Sequence, residues 1–184
     1  MSKPEKILIT GTGRAGTTFL VRLMTLLKLP TGFGIEKTNR VGGCNAGMEL
    51  KLHQDDAFIV KDPRFIENLA TIVKEGKYDI YVIVPLRNIK EAAQSRVKNG
   101  LGAGGLWNAR DQATQENTLN SLLTKGLLDI VQNDIPHVFI DFNRMIKSPE
   151  YLFSKLEYVM TKYGVTYEIF YTQYIAASNE SRPL

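Results

Sequence analysis

Residues 6–27, KILITGTGRAGTTFLVRLMTLL, constrain this chain more than any other stretch. Lys6-Ile7-Leu8-Ile9-Thr10 is short, apolar and biased toward β-branched side chains, which favours a strand. Gly11-Thr12-Gly13-Arg14-Ala15-Gly16 is too rich in glycine to continue it. Beyond Thr17, the side chains of Phe19, Leu20, Leu23 and Leu27 recur at helical spacing. Strand, tight turn and helix in that order point backbone N–H groups and a helix N-terminus at an anion. Gly11, Gly16 and Thr18 fit the phosphate-loop pattern Gly-x-x-x-x-Gly-Lys-Ser/Thr, but Thr17 stands where the lysine belongs. That lysine is the cation that meets β- and γ-phosphates, so its absence argues against ordinary ATP or GTP hydrolysis. Arg14 supplies a cation instead. The turn is built for an anion other than a triphosphate.

Three more apolar runs read as strands. They lie at 57–60, 80–86 and 137–141, in addition to the first at 6–10. The run at 80–86 is apolar throughout, as expected of a strand covered on both faces. Helical patterns follow at 65–75, 89–98, 107–132 with a break at Gly126, 148–163 with Ser148 as N-cap and Pro149 at the first helical position, and 166–177. The tail SNESRPL reads as frayed. Strands alternating with helices predict an α/β chain with a P-loop-like three-layer fold, a central mostly parallel sheet flanked by helices. A length of 184 residues suits one domain spanning 1–184. The turn after the first strand is expected at the switch point of the sheet, where such folds bind ligands. Two glycine-rich segments lie nearby. Residues 31–47 are expected to contact substrate, with Glu36 and Arg40 as charged residues of interest, and 99–105 reads as a lid.

Composition narrows the partners. A formal charge of +4 is mildly basic, yet no basic run or aromatic–basic interleaving points to nucleic acid. The one cysteine, Cys44, has no disulfide partner in the chain and no metal-ligand company. The polar start MSKPEK does not read as a signal peptide, and no apolar run reaches the roughly 18 residues of a membrane helix. A soluble, cytoplasmic protein is expected.

The motifs together resemble one family. Arg14-Ala15-Gly16-Thr17-Thr18 is similar to the first signature of the sulfotransferases that use 3′-phosphoadenosine 5′-phosphosulfate (PAPS): a basic residue, Ser or Ala, then Gly-Thr-Thr, after a strand and opening a helix. Val82-Ile83-Val84-Pro85-Leu86-Arg87-Asn88, with Ser95 eight residues after Arg87, resembles their second signature. Phe139-Ile140-Asp141-Phe142 with Lys147-Ser148-Pro149-Glu150 resembles a third, weaker one. The likenesses run from residue 6 to about 164.

This resemblance implies a P-loop-like fold and transfer of a sulfuryl group from PAPS to a hydroxyl or amine, leaving adenosine 3′,5′-bisphosphate, with no metal. It implies that Gly13, Arg14, Ala15, Gly16, Thr17 and Thr18 wrap the 5′-phosphosulfate and that Arg87 and Ser95 take the 3′-phosphate. Arginine suits that task because its planar fork binds phosphate oxygens in pairs. The resemblance also implies that Lys61 supports the leaving group. In one branch of the family the base is a histidine two residues after that lysine; here Pro63 stands there. In other branches a glutamate after the first helix serves, and Glu36 is the corresponding choice, with Asp62 and His53 as fallbacks. Arg64 and Arg40 are candidate contacts for an anionic acceptor. The Gly-rich basic segment with which many members clamp the adenine is missing. Phe33, Leu101 and Trp107 are expected to line the pocket of an unidentified small-molecule, carbohydrate or lipid acceptor. Two other functions remain open: a small-molecule or nucleoside kinase with a degenerate P-loop, and a nucleotide-binding module without catalysis.

Overall fold

The computed structural model describes residues 3–34, 47–53, 57–98 and 111–181. Among them four strands, β1 (Glu5–Ile9), β2 (Ile59–Lys61), β3 (Asp79–Leu86) and β4 (His137–Asp141), form one sheet in the order β2-β1-β3-β4. All three pairings are parallel. The fold is therefore α/β, with helices on both faces of the sheet.

Alternation along the strands divides the core. Ile7, Ile9, Ile59, Ile83 and Ile140 face one side. There they pack on α1 (Thr17–Leu26), α6 (Pro149–Lys155), α7 (Glu157–Lys162) and α8 (Tyr167–Ser181). Leu8, Val60, Val82 and Val84 face the other side, against a 3₁₀ helix (Pro63–Glu67), α2 (Leu69–Glu75) and α4 (Gln112–Gln132). Each Ile or Leu buried in this way contributes about 1.5–3 kcal/mol relative to an exposed side chain. The α3 helix (Ile89–Lys98) packs on α4 through Ala92, Ala93 and Leu119, and the short α5 (Phe142–Met145) follows β4 directly. No helix among the described residues is long and apolar enough to cross a membrane.

Pro85 sits inside a central strand, where a missing N–H would normally break a ladder. Val82 N donates to Pro136 O and Ile83 O accepts from Thr10 N, so alternate residues of β3 face β4 and β1 in turn. Pro85 faces the β1 side, beyond the last paired residue Ile9, where β1 has already turned into the loop. It therefore leaves no strand partner unmatched.

Several boundaries differ from expectation. The helix expected at 65–75 is a 3₁₀ helix followed by α2, with Asp62 capping the first piece by accepting from Arg64 N at 2.9 Å. The helix expected at 148–163 divides at Leu156, a core residue only 1 % exposed. Ser148 caps α6 as expected, its Oγ accepting from Tyr151 N at 3.1 Å. The last helix continues to Ser181 rather than fraying after 177.

Gly126 does not break α4. A Cβ there would lie 2.3 Å from Ile66 Cγ1 and 3.3 Å from the Ile66 carbonyl oxygen. The glycine lets the helix approach the 3₁₀ segment that carries Ile66. Gly126→Ala should therefore lower stability by about 1–3 kcal/mol, despite alanine's better helix propensity. Urea unfolding of the variant beside the parent measures it.

Candidate functional site

The turn between β1 and α1 is where the backbone is most unusual. Gly13 (φ 74°), Arg14 (φ 55°) and Gly16 (φ 88°) all lie in the left-handed region. Glycine adopts it freely, but for Arg14 it costs about 1–2 kcal/mol. Two contacts hold Arg14 there. Its carbonyl accepts from Arg87 Nη1 at 3.1 Å, and its own Nε donates to Ser95 Oγ at 3.2 Å. Gly16 is the N-cap of α1 and no side chain caps the helix. The first-turn N–H groups therefore have no partner within the helix. The turn lies at the carboxyl ends of β1 and β3, the strands whose connections leave toward opposite sides of the sheet. This is the switch point of the order β2-β1-β3-β4.

Arg87 and Ser95 reach the turn through local structure that the sequence encodes. Arg87 is the first residue past β3. Asn88 then accepts through Oδ1 from Lys90 N at 3.0 Å and Glu91 N at 3.3 Å, which starts α3 at once. At 3.6 residues per turn, Ser95 lies about two turns along α3, on the face toward the loop. The next residue, Arg96, is only 2 % exposed, and its Nη1 donates to Thr12 O at 3.1 Å.

The electrostatics are those of crowded cations. Burial lowers the pKa of Arg14, and the charge of Arg87 lowers it further. Arg96 is pushed down to about 10, by burial first and by Arg14 second. Arg87 meets Glu91 at 3.4 Å on the exposed rim, and its guanidinium lies 4.6 Å from the centre of the Phe142 ring. Three guanidinium groups thus converge on one turn. No protein-family model matches the chain, and no curated protein matches it.

The other expected site residues fall into three places. Thr17 is buried and Thr18 half-buried in the first turn of α1, and Ala15 is fully buried. Lys61, at the carboxyl end of β2 beside Ile9, has its ammonium fully buried. It donates to Gly47 O at 2.8 Å and pairs with Glu49 Oε1. Asp62 pairs with Arg64, Oδ2 to Nη2 at 2.7 Å, while also capping the 3₁₀ helix, so both its oxygens are engaged there. His53 does not join the site. Its Nδ1 lies 3.2 Å from the hydroxyl of Tyr78, just before β3 begins, at the opposite end of the sheet. Glu36, Arg40, Cys44, Leu101, Trp107 and the segment 99–105 lie outside the described residues. Phe33 is half-buried against the core on the α1 side.

Contributions from three places in the chain were missed by sequence reasoning. Phe142 and Met145 of α5 press on the turn: a Cβ on Gly16 would lie 2.3 Å from Met145 Cε and 3.2 Å from the Phe142 ring. Glu49 neutralises Lys61, and its Oε2 is buried without a hydrogen-bond partner among the described residues. Arg96 is the third. The adjacency of Arg96 to Ser95 was the only available signal, and an arginine on a helix ordinarily reads as solvated.

Proposed function

We propose that the chain is a sulfotransferase that uses PAPS and a hydroxyl or amine acceptor. The observation that carries this reading is the meeting of Arg87 and Ser95 with Arg14 at the glycine turn, where one nucleotide could span both ends of the site. The donor set suits such a ligand. Left-handed turn residues present N–H groups, three guanidinium groups supply charge, and a hydroxyl stands among them. When bound, PAPS supplies an activated sulfuryl group. The turn and Arg14 would hold its 5′ end, and Arg87 with Ser95 its 3′-phosphate. Preorganised donors of this kind contribute most where charge develops in a water-poor site. On this reading Lys61, which donates to Glu49 and to the Gly47 carbonyl, supports the leaving group and Glu36 accepts the proton. The acceptor is a small molecule, a carbohydrate or a lipid.

Calorimetry tests the reading. Adenosine 3′,5′-bisphosphate is expected to bind without Mg²⁺ and more tightly than Mg-ATP. No heat at about millimolar bisphosphate would sink the proposal. Preference for Mg-ATP would favour a kinase. Binding of the bisphosphate with no transfer to any of a panel of phenols, sugars and lipids would leave a nucleotide-binding module.

A further inference from the structure

We infer that Arg96 is a positioning residue: it fixes the peptide plane between Thr12 and Gly13 so that the turn presents its N–H groups to an anion. A trans peptide is planar, so its C=O and N–H point in opposite directions. Arg96 Nη1 holds the Thr12 carbonyl, which directs the Gly13 N–H away from Arg96. Arg87 Nη1 holds the Arg14 carbonyl, which does the same for the Ala15 N–H. The residues between these carbonyls, Gly13 and Arg14, are consecutive left-handed residues. Successive N–H groups in a tight turn form an anion-binding concavity. Its outward carbonyls then need donors, and here guanidinium groups from α3 and from the end of β3 provide them.

Arg96 also lies close enough to Arg14 that the charge of Arg14 adds to burial in raising the cost of the Arg96 charge. An anion in the turn relieves that repulsion, so holding the loop and binding the anion are coupled. The role belongs to Arg96 rather than Ser95, because Ser95 meets a side chain while Arg96 meets the loop backbone. The assignment rests on the anion-site part of the proposed function but not on the identity of the sulfuryl donor.

The test uses the full chain with Arg96→Gln and Arg96→Lys. Residue-resolved amide exchange is measured without ligand, and calorimetry is run separately with adenosine 3′,5′-bisphosphate and with inorganic sulfate. Arg96→Gln is expected to weaken both probes about tenfold or more, the effect of losing a charged hydrogen bond. It should also speed exchange at Gly13 and its neighbours while leaving β1 and β3 protected. Arg96→Lys should recover part of both effects. Binding of both probes within about twofold of the parent overturns the inference. So does exchange that is unchanged in the turn, or that rises equally through the sheet, as general destabilisation would produce. Should Arg96→Gln fail to fold, Arg96→Lys decides alone: parental affinity and exchange overturn the assignment. A parent that binds sulfate but not the bisphosphate refutes the proposed function and leaves this inference to be decided by the variants. A parent that binds neither refutes both.

Discussion

Gly16→Ala is expected to destabilise the protein by about 2–5 kcal/mol and to abolish the nucleotide binding proposed for the turn. Two costs combine. At φ 88° a Cβ clashes with the backbone, as for any L-residue in the left-handed region. The added methyl would also stand 2.3 Å from Met145 Cε and 3.2 Å from two atoms of the Phe142 ring. Met145 ends in a flexible methyl and can yield. Phe142 yields less readily, because the Arg87 guanidinium lies against its ring. Moving Phe142 displaces Arg87, and Arg87 holds the Arg14 carbonyl. The damage therefore passes from packing to the site. Gly164→Ala is the control. Gly164 has φ +65°, but no atom lies within 4 Å of where an added methyl would stand, so only the backbone cost applies there. That cost alone should be about 1–2 kcal/mol. Guanidinium unfolding of both variants separates strain from crowding. Equal losses would show that α5 does not press on the turn.

The turn was legible because its demands are local. Gly13 and Gly16 are glycines at positions with positive φ, and their spacing survives in any reading of the chain. β3 was legible because its span 80–86, covered on both faces, is apolar throughout; only the exposed Asp79 at its start was not included. Arg87 and Ser95 were singled out by the resemblance to a second signature, and 3.6 residues per turn allows Ser95, about two turns along α3, to reach the same turn that Arg87 meets. What could not be read depends on contacts distant in sequence. Gly126 reads as a helix break until Ile66, sixty residues earlier, is seen against it. The division at Leu156 has no glycine or proline to mark it; the residue turns the chain because its side chain is anchored in the core. The burial of Arg96 and the pairing of Lys61 with Glu49 are tertiary facts with no local signature. His53, only a fallback as base and otherwise a surface or satisfied histidine, meets the Tyr78 hydroxyl at the opposite end of the sheet.

Arg87→Ala should act in different directions on the two states of the protein. With ligand, it removes the charged contact to phosphate that the proposed function gives Arg87, which is expected to cost about 1.5–3 kcal/mol, or roughly 10–150-fold in affinity for adenosine 3′,5′-bisphosphate. Without ligand, the losses and gains nearly offset. The substitution deletes the bond to the Arg14 carbonyl, the contact with Phe142 and the exposed pair with Glu91. The last two are each worth no more than about 1 kcal/mol at a partly exposed site. It also removes a cation that opposes the charge of Arg14. The ligand-free stability should therefore change by less than about 1 kcal/mol. Ser95→Ala removes a neutral partner, so its binding loss should be smaller, about 0.5–1.5 kcal/mol. Thermal unfolding with and without the bisphosphate reads both states in one experiment. The expected result is a nearly unchanged melting temperature for the ligand-free Arg87→Ala protein and loss of most of the rise that the ligand produces in the parent. If the ligand-free protein instead falls by several degrees while the ligand-induced rise survives, Arg87 serves the fold through Arg14 and Phe142, and the phosphate role assigned to it is wrong.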